Sequence, residues 1–535
     1  MLWRGWGDPA RAMQLAAPLV ELLHQVLGVR PPAVRPVQLE EVALRDASLP
    51  DAARDALVAA VGAEHVRCDA ETRIRHTRGK STADLLRIRA GDAGDAPDAV
   101  VMPGSHAEVV QVLEECSRHR VAVVPFGGGT SVVGGLAARL DESGRGPYAG
   151  VIALDLRRMD HLVAVDAGSR IATLEPGLRA PRAEALLHTH GFTLGHFPQS
   201  YEWASIGGFA ATRASGQASA GYGRFDEMVV QVRVATPSGT LSLGRAPRSA
   251  AGPDLRELVL GSEGAFGVIT SVTVQVRPVP ETSVYEGWRF ATFDSGVATL
   301  RRLAQDGSLP AVLRLSDEAE TMVGLAQPAR LASSGGRLGS ETGCLLITGY
   351  EGTSRGVADR RDAVATTLRE GGGEYLGTEP GESWARERFS APYLRDALLD
   401  AGAFAETLES ATFWSNLPQL YGAVRDALTT TLTEQGTPPL VLCHVSHVHP
   451  AGASLYFTMV SAQGEDPLVQ WNRAKAAASD AIVTAGGTIS HHHGVGTDHR
   501  PWLAAEVGPL GVEVLRAVKD RLDPAGVLNP GILIS

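Results

Sequence analysis

Hydrophobic and polar positions show mixed strand and helix periodicity between residues 96 and 280. Short apolar runs such as "VAVVP", "GVIALDL", "SRIATLEPG" and "GVITSVTVQV" predict strands, because they are brief and rich in β-branched residues. The segment "SHAEVVQVLEECSRH" predicts a helix that Ser105 caps, with Glu108 at the capping-box position. The pattern therefore predicts a mixed α/β or α+β domain.

Proline and glycine mark other boundaries in this region. Residues 181–190 predict a helix with Pro181 at its start and Gly191 after its end. "VRVATPSGTLSL" alternates around Pro-Ser-Gly, which predicts a hairpin, and the prolines of "RPVP" are expected to stop the strand before them.

The rest of the chain is patterned differently. Residues 281 to 480 contain longer helical patterns, such as "SGVATLRRLAQ", and two strand-like runs, "CLLITGY" and "SLYFTMV". The pattern of residues 1–95 predicts helices and loops, and the Gly/Asp/Pro-rich stretch "AGDAGDAPDA" indicates a domain boundary. We predict four segments: an N-terminal extension (1–95), a first domain (96–280), a second domain (281–480) and a C-terminal segment (481–535).

Composition narrows the class of protein. The 535 residues are 44% hydrophobic and 20% charged, as in ordinary globular proteins, and the net charge of −11 argues against nucleic-acid binding. No apolar run reaches the ~18 residues typical of a transmembrane helix, and the N-terminus lacks a signal-peptide core. Four scattered cysteines favour a reducing compartment, so we expect a cytoplasmic protein.

Three glycine-rich segments lie within the first domain: "PFGGGTSVVGG", "SIGGFAATRASGQ" and "GSEGAFG". Clustered glycines let several backbone N–H groups approach an anion, although tight turns would explain a single segment equally well. The first segment follows a strand, yet it matches neither the Walker loop nor the dinucleotide fingerprint. The three glycine-rich segments therefore indicate an anionic ligand, but composition alone does not identify it.

The C-terminal segment contains the run "SHHHGVG", with His491, His492 and His493 in sequence. Such a run can be solvated and inert, can bind a metal or can transfer protons. "HVSHVHP" adds His444, His447 and His449, so the chain has enough histidines to bind Zn²⁺ or another divalent metal. If the run were a strand, His491 and His493 would share one face.

The order of motifs resembles a known family. "PFGGGTSVVGG", "GGFAATRASG", "YGRFDEMV", "GSEGAFGVIT" and "LDPAGVLNPGIL" resemble the FAD-binding superfamily of vanillyl-alcohol oxidase and p-cresol methylhydroxylase. "WRGWGDP", "RIRHTRGKSTADLLRIRAG", "APYLRD" and "SHHHGVGTDHRPWL" are similar to its alkyldihydroxyacetonephosphate synthase (alkylglycerone-phosphate synthase) branch. This likeness extends over nearly the whole chain.

The resemblance implies an α+β fold. The first domain would be a two-subdomain FAD-binding domain, the second a cap domain with a central antiparallel sheet and flanking helices, and the C-terminal segment would return to the FAD-binding domain. Covalent flavoenzymes of this superfamily often carry a histidine after the first glycine pair, where this chain has Gly129 and Thr130, so we predict non-covalent FAD. The residues implied in FAD binding are Pro125, Phe126, Gly127, Gly128, Gly129, Thr130, Ser131, Gln199, Ser200, Ser205, Thr212, Arg213, Ala214, Ser215, Gly261, Ser262, Glu263, Gly264 and Gly267.

The resemblance also assigns the acid–base and substrate groups. Tyr456 and the run His491, His492 and His493 fall on the family's catalytic positions, and the tyrosine can transfer a proton if cationic neighbours lower its pKa from roughly 10. Arg395 and Arg314 fall on arginines that serve the substrate, and a guanidinium group suits a phosphate.

Related FAD-dependent D-2-hydroxy-acid dehydrogenases bind a metal through two histidines and a glutamate. This chain has His444 at the first of these positions, Tyr456 at the second and His492 in place of the glutamate. Since a carboxylate and an imidazole are lost, we predict no metal.

The implied reaction exchanges the acyl chain of acyl-dihydroxyacetone phosphate for a fatty alcohol, through a flavin N5 adduct and without net redox change. The rival reading is an FAD-linked dehydrogenase or oxidase of a D-2-hydroxy acid. A small-molecule lipid substrate, a homodimer, a bacterial cytoplasm and peripheral contact with the membrane complete the expectations.

Overall fold

A computed structural model describes residues 1–32, 35–137, 147–324 and 342–534. Its longer helices are Ala17–Leu27, Asp51–Val61, Thr82–Arg89, His106–His119, Ala180–His188, Phe293–Gln305, Ser354–Glu370, Glu379–Glu387, Ala391–Asp400, Leu417–Glu434, Pro467–Thr484 and Leu503–Leu522. Shorter helices are Ala70–Arg75, Ile206–Thr212, Ser219–Tyr222, Phe225–Met228, Arg256–Val259 and Glu318–Val323. No helix within the described residues is long and apolar enough to cross a membrane.

Two larger sheets build the region from residue 96 to residue 280, and the first of them includes a short strand from the N-terminal extension. The first contains β1 (Val66–Arg67), β2 (Ala99–Val101), β3 (Val121–Phe126) and β4 (Gly150–Asp155) in the order β1-β2-β4-β3. Strands β2, β4 and β3 are parallel and almost wholly buried, as their unbroken apolar runs predict. The predicted helix packs nearby as His106–His119, and the Ser105 hydroxyl caps it by accepting the Glu108 N–H.

The second sheet is antiparallel, in the order β5-β6-β10-β8-β9. Its strands are β5 (Leu162–Asp166), β6 (Ile171–Leu174), β8 (Val229–Thr236), β9 (Gly239–Leu243) and β10 (Val268–Gln275). The predicted hairpin is β8–β9. Strand β10 ends before the prolines, but Arg277–Pro278 (β11) pairs again with Phe192–Thr193 (β7), where proline is tolerated in a short edge strand.

The region after residue 281 folds around a seven-stranded antiparallel sheet in the order β15-β12-β14-β13-β17-β18-β16. Its strands are β12 (Thr282–Phe290), β13 (Val312–Ser316), β14 (Cys344–Gly352), β15 (Glu374–Gly377), β16 (Ala403–Phe413), β17 (Leu440–His449) and β18 (Gly452–Ala462). The two runs recognised in the sequence are β14 and β18. Strand β16 was missed because Glu406 and Glu409 interrupt its apolar pattern, although both are buried.

The two ends of the chain pack onto these domains. Lys80 Nζ donates to the carbonyls of Leu2 and Trp3, and the Thr82 N–H donates to Glu406 in the cap sheet. At the other end, Leu528 forms a bridge to Val123 of β3. The N-terminal segment therefore packs against the cap sheet, and the C-terminal segment packs against the first sheet of the FAD-binding domain.

Candidate active site

One elongated cavity runs between the glycine loop after β3 and the cap sheet. One wall comes from Pro125 to Val132, and the opposite wall contains Arg314, Tyr456, His492 and His493. The glycine-rich loop, predicted to bind an anion, and the histidines and tyrosine, predicted to transfer protons, therefore line the same cavity.

The glycine loop fits its role because side chains are excluded there. A Cβ on Gly127 would lie 2.3 Å from Ser205 Oγ, and one on Gly128 would lie 2.4 Å from the Trp203 carbonyl. Gly129 has a φ of 70°, which L side chains rarely adopt. Among the described residues, the backbone N–H groups of Gly128, Gly129 and Thr130 have no hydrogen-bond acceptor. These donors suit a diphosphate.

Most residues predicted to bind FAD line this cavity. They are Pro125, Phe126, Gly127, Gly128, Gly129, Thr130, Ser131, Gln199, Ser200, Ser205, Thr212, Ala214, Ser215, Glu263, Gly264 and Gly267. Gln199 Nε2 and Gln217 Oε1 are buried without partners within the described part of the chain, so a polar ligand has groups to bind.

Three of the predicted FAD residues do not line the cavity. Arg213 ends the helix Ile206–Thr212 in a left-handed conformation, and its guanidinium group donates to the Leu260 carbonyl and to Glu257. Gly261 and Ser262 lie behind the cavity wall in the turn that carries Glu263, where Gly261 donates its N–H to the Ala210 carbonyl. These three residues support the cavity wall.

Glu263 ties the glycine cradle to the C-terminal segment. Its carboxylate accepts the N–H groups of Val495 and Gly496, each at 2.8 Å, and its backbone carbonyl accepts from Asn529. Burial raises the pKa of Glu263 to about 7, although the two N–H donors oppose that shift. Its role is therefore to position the segment that follows the histidine run.

The histidine run forms a bend around the carboxylate of Glu409. It is not a strand, so His491 and His493 do not share a strand face. Glu409 accepts the N–H of His491 at 2.8 Å, that of His492 at 3.0 Å and that of His493 at 2.9 Å. The Ser490 hydroxyl also donates to it, at 2.7 Å. One buried carboxylate therefore sets the backbone of the whole run.

Burial controls the charge of this group. Burial alone would raise the pKa of Glu409, but the neighbouring histidines and the N–H donors outweigh it and hold the pKa well below its usual range. Burial also lowers the pKa of His491, His492 and His493, the last to about 3. At neutral pH the run therefore contains neutral imidazoles above an ionised carboxylate held chiefly by backbone donors.

Two further histidines extend the cluster from β17. The Nε2 atom of His449 lies 3.1 Å from Nε2 of His491, and Nδ1 of His491 lies 3.1 Å from Nδ1 of His492. His447 stacks on His491 with ring centroids 5.2 Å apart, and its Nδ1 is 3.1 Å from Ser215 Oγ. The imidazoles form a continuous chain from the cavity to half-buried His449.

Tyr456 lies in β18, directly opposite Glu409 of β16. Its hydroxyl donates to Thr407 Oγ1 at 3.1 Å, and its ring stacks on His444 and His492. The condition for proton transfer by Tyr456, a lowered pKa, is not met: burial raises the pKa of Tyr456 to about 12, and Arg314 opposes this only weakly. Tyr456 is therefore a protonated hydroxyl, and the neutral histidines are the stronger bases at neutral pH.

Arg314 and Arg395 both line the cavity, and both are partly paired inside the protein. Arg314 contacts His444 at 3.0 Å and forms an ion pair with Glu320 at 3.0 Å. Arg395 donates to the Lys80 carbonyl at 2.6 Å and lies 3.3 Å from Asp396. The Nε atom of each is buried without a partner within the described ranges, so each retains a donor for a ligand.

Sequence reasoning missed several residues of the site. Glu409 gave no signal beyond a lone acidic residue in an apolar stretch. Arg388 and Trp6 also line the cavity; the Arg388 guanidinium lies over the Phe197 ring at 4.6 Å, and its Nη1 is a buried atom without a partner in the described part of the chain. Tertiary folding alone brings residue 6 to the cavity.

Comparison with known families confirms the cofactor. Residues 97–243 match the family model "FAD binding domain", and residues 279–533 match "FAD linked oxidases, C-terminal domain". FAD is therefore the cofactor, which agrees with the glycine cradle.

Solved structures confirm the fold. A crystal structure of alkyldihydroxyacetonephosphate synthase aligns with a TM-score of 0.82 at 29% identity, over 99% of this chain and 98% of that chain. p-Cresol methylhydroxylase, at 17% identity over 94% of this chain and 99% of that chain, shares the fold with a TM-score of 0.71. The α+β superfamily fold and the antiparallel cap sheet are as predicted.

Two curated relatives separate the alternatives. The alkyldihydroxyacetonephosphate synthase of Dictyostelium discoideum is 34% identical over 486 residues, which cover 88% of this chain and 79% of that protein. The mitochondrial D-lactate dehydrogenase [cytochrome] of Arabidopsis thaliana is 27% identical over 83% of this chain and 74% of that protein. With the synthase-like histidine run in the FAD cavity, these comparisons show that the chain belongs to the alkyldihydroxyacetonephosphate synthase family.

Proposed function

We propose that this enzyme exchanges the acyl chain of acyl-dihydroxyacetone phosphate for a fatty alcohol and releases a fatty acid, a step of ether-lipid synthesis. The observation that carries the proposal is the shared cavity: the glycine cradle, Arg314 and Arg395, Tyr456 and neutral His492 and His493 all line it. Phosphate recognition and proton transfer can therefore occur beside one bound FAD.

The chain's own residues divide the work. Arg395, assisted by Arg314, binds the phosphate through guanidinium N–H groups. Neutral His492 or His493 takes the substrate proton, and the protonated hydroxyl of Tyr456 orients the reacting oxygen by hydrogen bonding. Bound FAD supplies the reactive flavin ring; we propose that it is held without a covalent bond, because Gly129 and Thr130 offer no side chain for one.

The acyl leaving group also needs a proton donor. A histidine that has taken the substrate proton can give it to the departing carboxylate, or pass it along the chain of imidazoles towards His449 while the acid leaves as its anion. The proton that the fatty alcohol loses as it enters then replaces the one taken from the substrate carbon. The exchange then needs no electron acceptor, because a fatty alcohol enters and a fatty acid leaves.

The anaerobic visible spectrum of the flavin-loaded protein tests this function. Titration with acyl-dihydroxyacetone phosphate should bleach the flavin, and a fatty alcohol should restore the colour with formation of the ether. Bleaching by a D-2-hydroxy acid, with recovery only on adding oxygen or a dye, would instead establish a dehydrogenase.

We also propose a cytoplasmic homodimer that contacts the membrane peripherally. The four unpaired cysteines support a reducing compartment. Leu510 and Val514 support membrane contact, because they are exposed on one face of the helical part that follows the kink at Gly508. Sedimentation velocity tests the dimer. Flotation with vesicles tests the contact, and L510E should abolish flotation if this face binds lipid.

A further inference from the structure

The imidazoles of His447, His491 and His492 converge on one point beside the cavity. One ring nitrogen from each residue lies within 4.8 Å of the corresponding atoms of the other two. Ring centroids are 5.2 Å apart for His447 and His491, and 5.0 Å apart for His447 and His492. We propose that these three residues form a binding site for a transition-metal dication, with Zn²⁺ as its best occupant.

The outer partners suit the tautomers that a metal requires. The Nδ1–H of His447 can donate to Ser215 Oγ, which leaves its Nε2 lone pair free. The Nε2–H of His491 can donate to His449, which directs its Nδ1 lone pair towards Nδ1 of His492, 3.1 Å away. Such outer hydrogen bonds commonly fix the orientation and tautomer of metal-binding histidines. Without a metal, the two Nδ1 atoms share a hydrogen bond.

The electrostatic surroundings also favour a cation. Glu409 lies 3.5 Å from Nδ1 of His492 and contributes a buried negative charge. Arg224 donates to the His491 carbonyl, but it is paired with Asp226 at 2.5 Å.

The ligand chemistry selects the ion. Three neutral imidazoles with an open fourth position suit Zn²⁺ and other late first-row dications, whereas Mg²⁺ and Ca²⁺ prefer oxygen ligands. A zinc–nitrogen bond of about 2.0–2.1 Å requires the rings to close in slightly. This ligand set differs from the one that the sequence argued against, because His447 and His491 replace His444 and Tyr456.

Occupancy of the site has a consequence that rests on the proposed function. Zn²⁺ would occupy the lone pair of His492, one of the two proposed bases, and prevent it from taking the substrate proton. We therefore expect bound Zn²⁺ to inhibit ether formation and a chelator to restore it.

Zinc uptake by the flavin-loaded full chain, measured without substrate, tests the site. ZnCl₂ followed by gel filtration should leave one equivalent on the protein, MgCl₂ should leave none, and competition with a chromophoric chelator gives the affinity. H449F removes an outer partner and should weaken binding about tenfold. H447Q should weaken binding further, and H188Q, a surface control, should not alter it.

The outcomes separate this site from the proposed function. No uptake, or equal uptake by wild type and H447Q, overturns the metal site whatever the enzyme catalyses. If H447Q loses its flavin, anomalous diffraction from zinc-soaked wild-type crystals decides, and a peak anywhere but between the three rings overturns the proposal. Zinc bound there with ether formation unchanged would leave the site standing and contradict the role of His492 as the base.

Discussion

Glu409 and His492 form the central pairing of the candidate site: the carboxylate accepts the backbone N–H of His492 at 3.0 Å and lies 3.5 Å from its Nδ1. The same carboxylate accepts from both neighbouring histidines, so a single buried charge shapes the run. The position of the proposed base therefore depends on a strand residue of the cap domain.

Replacing Glu409 should disrupt the site more than a change of one charge suggests. In E409Q, the amide nitrogen cannot accept a backbone N–H, so buried donors lose their acceptor at a cost of about 1–3 kcal/mol each. Chemical denaturation should show this loss, and turnover should fall by more than about 100-fold because the imidazoles shift. The exposed variant E434Q is the control, and equal stability of both variants would contradict the role of Glu409.

Removal of the Tyr456 hydroxyl should separate catalysis from structure. Y456F loses one hydrogen bond to Thr407, worth about 1 kcal/mol, while its ring keeps its stacking contacts. Turnover should fall about 100-fold or more with the flavin spectrum unchanged. Loss of flavin from Y456F would show that the tyrosine is structural.

The geometry of Arg395 should matter as well as its charge. R395K keeps the charge but loses the planar guanidinium group, so KM for the acyl ketone phosphate should rise about 10- to 100-fold, which corresponds to about 1.4–2.7 kcal/mol. R386K, at an exposed arginine in the preceding helix Glu379–Glu387, provides the matched control. An unchanged KM in R395K would count against phosphate binding there.

The buried neutral histidines predict a pH dependence of stability. Because the pKa of His493 is depressed to about 3, the folded state excludes a proton that the unfolded chain takes up below about pH 6.5. Its contribution is unchanged above pH 6.5, and the folded state loses up to about 1.4 kcal/mol per pH unit below it.

Thermal unfolding of wild type and H493Q between pH 7 and pH 5 measures this effect. The difference in Tm should shift in favour of H493Q as the pH falls, and contributions shared by both proteins, including that of Glu263, cancel. A difference that stays constant across this range would show that His493 is not held neutral.

Local patterns in the sequence predicted the parts of the fold that depend on local forces. The Ser105 cap, the buried strands of the first domain and the β8–β9 hairpin follow from periodicity and turn chemistry. Strands β12, β13, β15, β16 and β17 were not recognised from the pattern. Buried polar residues such as Glu286 and Glu409 break the alternation there, and only their tertiary partners explain them.

The candidate site shows the same division. Motifs identified the glycine cradle, Tyr456 and the histidine run, because each is continuous in sequence. Glu409 and His447 reach the run from two other strands, so no local pattern could connect them. The direction of the Tyr456 pKa shift could not be predicted, because burial, which one sequence does not reveal, outweighs its cationic neighbour.

The most direct test of the proposed exchange is product analysis under anaerobic conditions with no electron acceptor. Flavin-loaded protein is incubated with acyl-dihydroxyacetone phosphate and a deuterium-labelled fatty alcohol, and mass spectrometry follows the ether and the released acid. The account predicts labelled ether and free fatty acid in equal amounts over many turnovers. Absence of ether, with turnover of a D-2-hydroxy acid only when an acceptor is added, would contradict it.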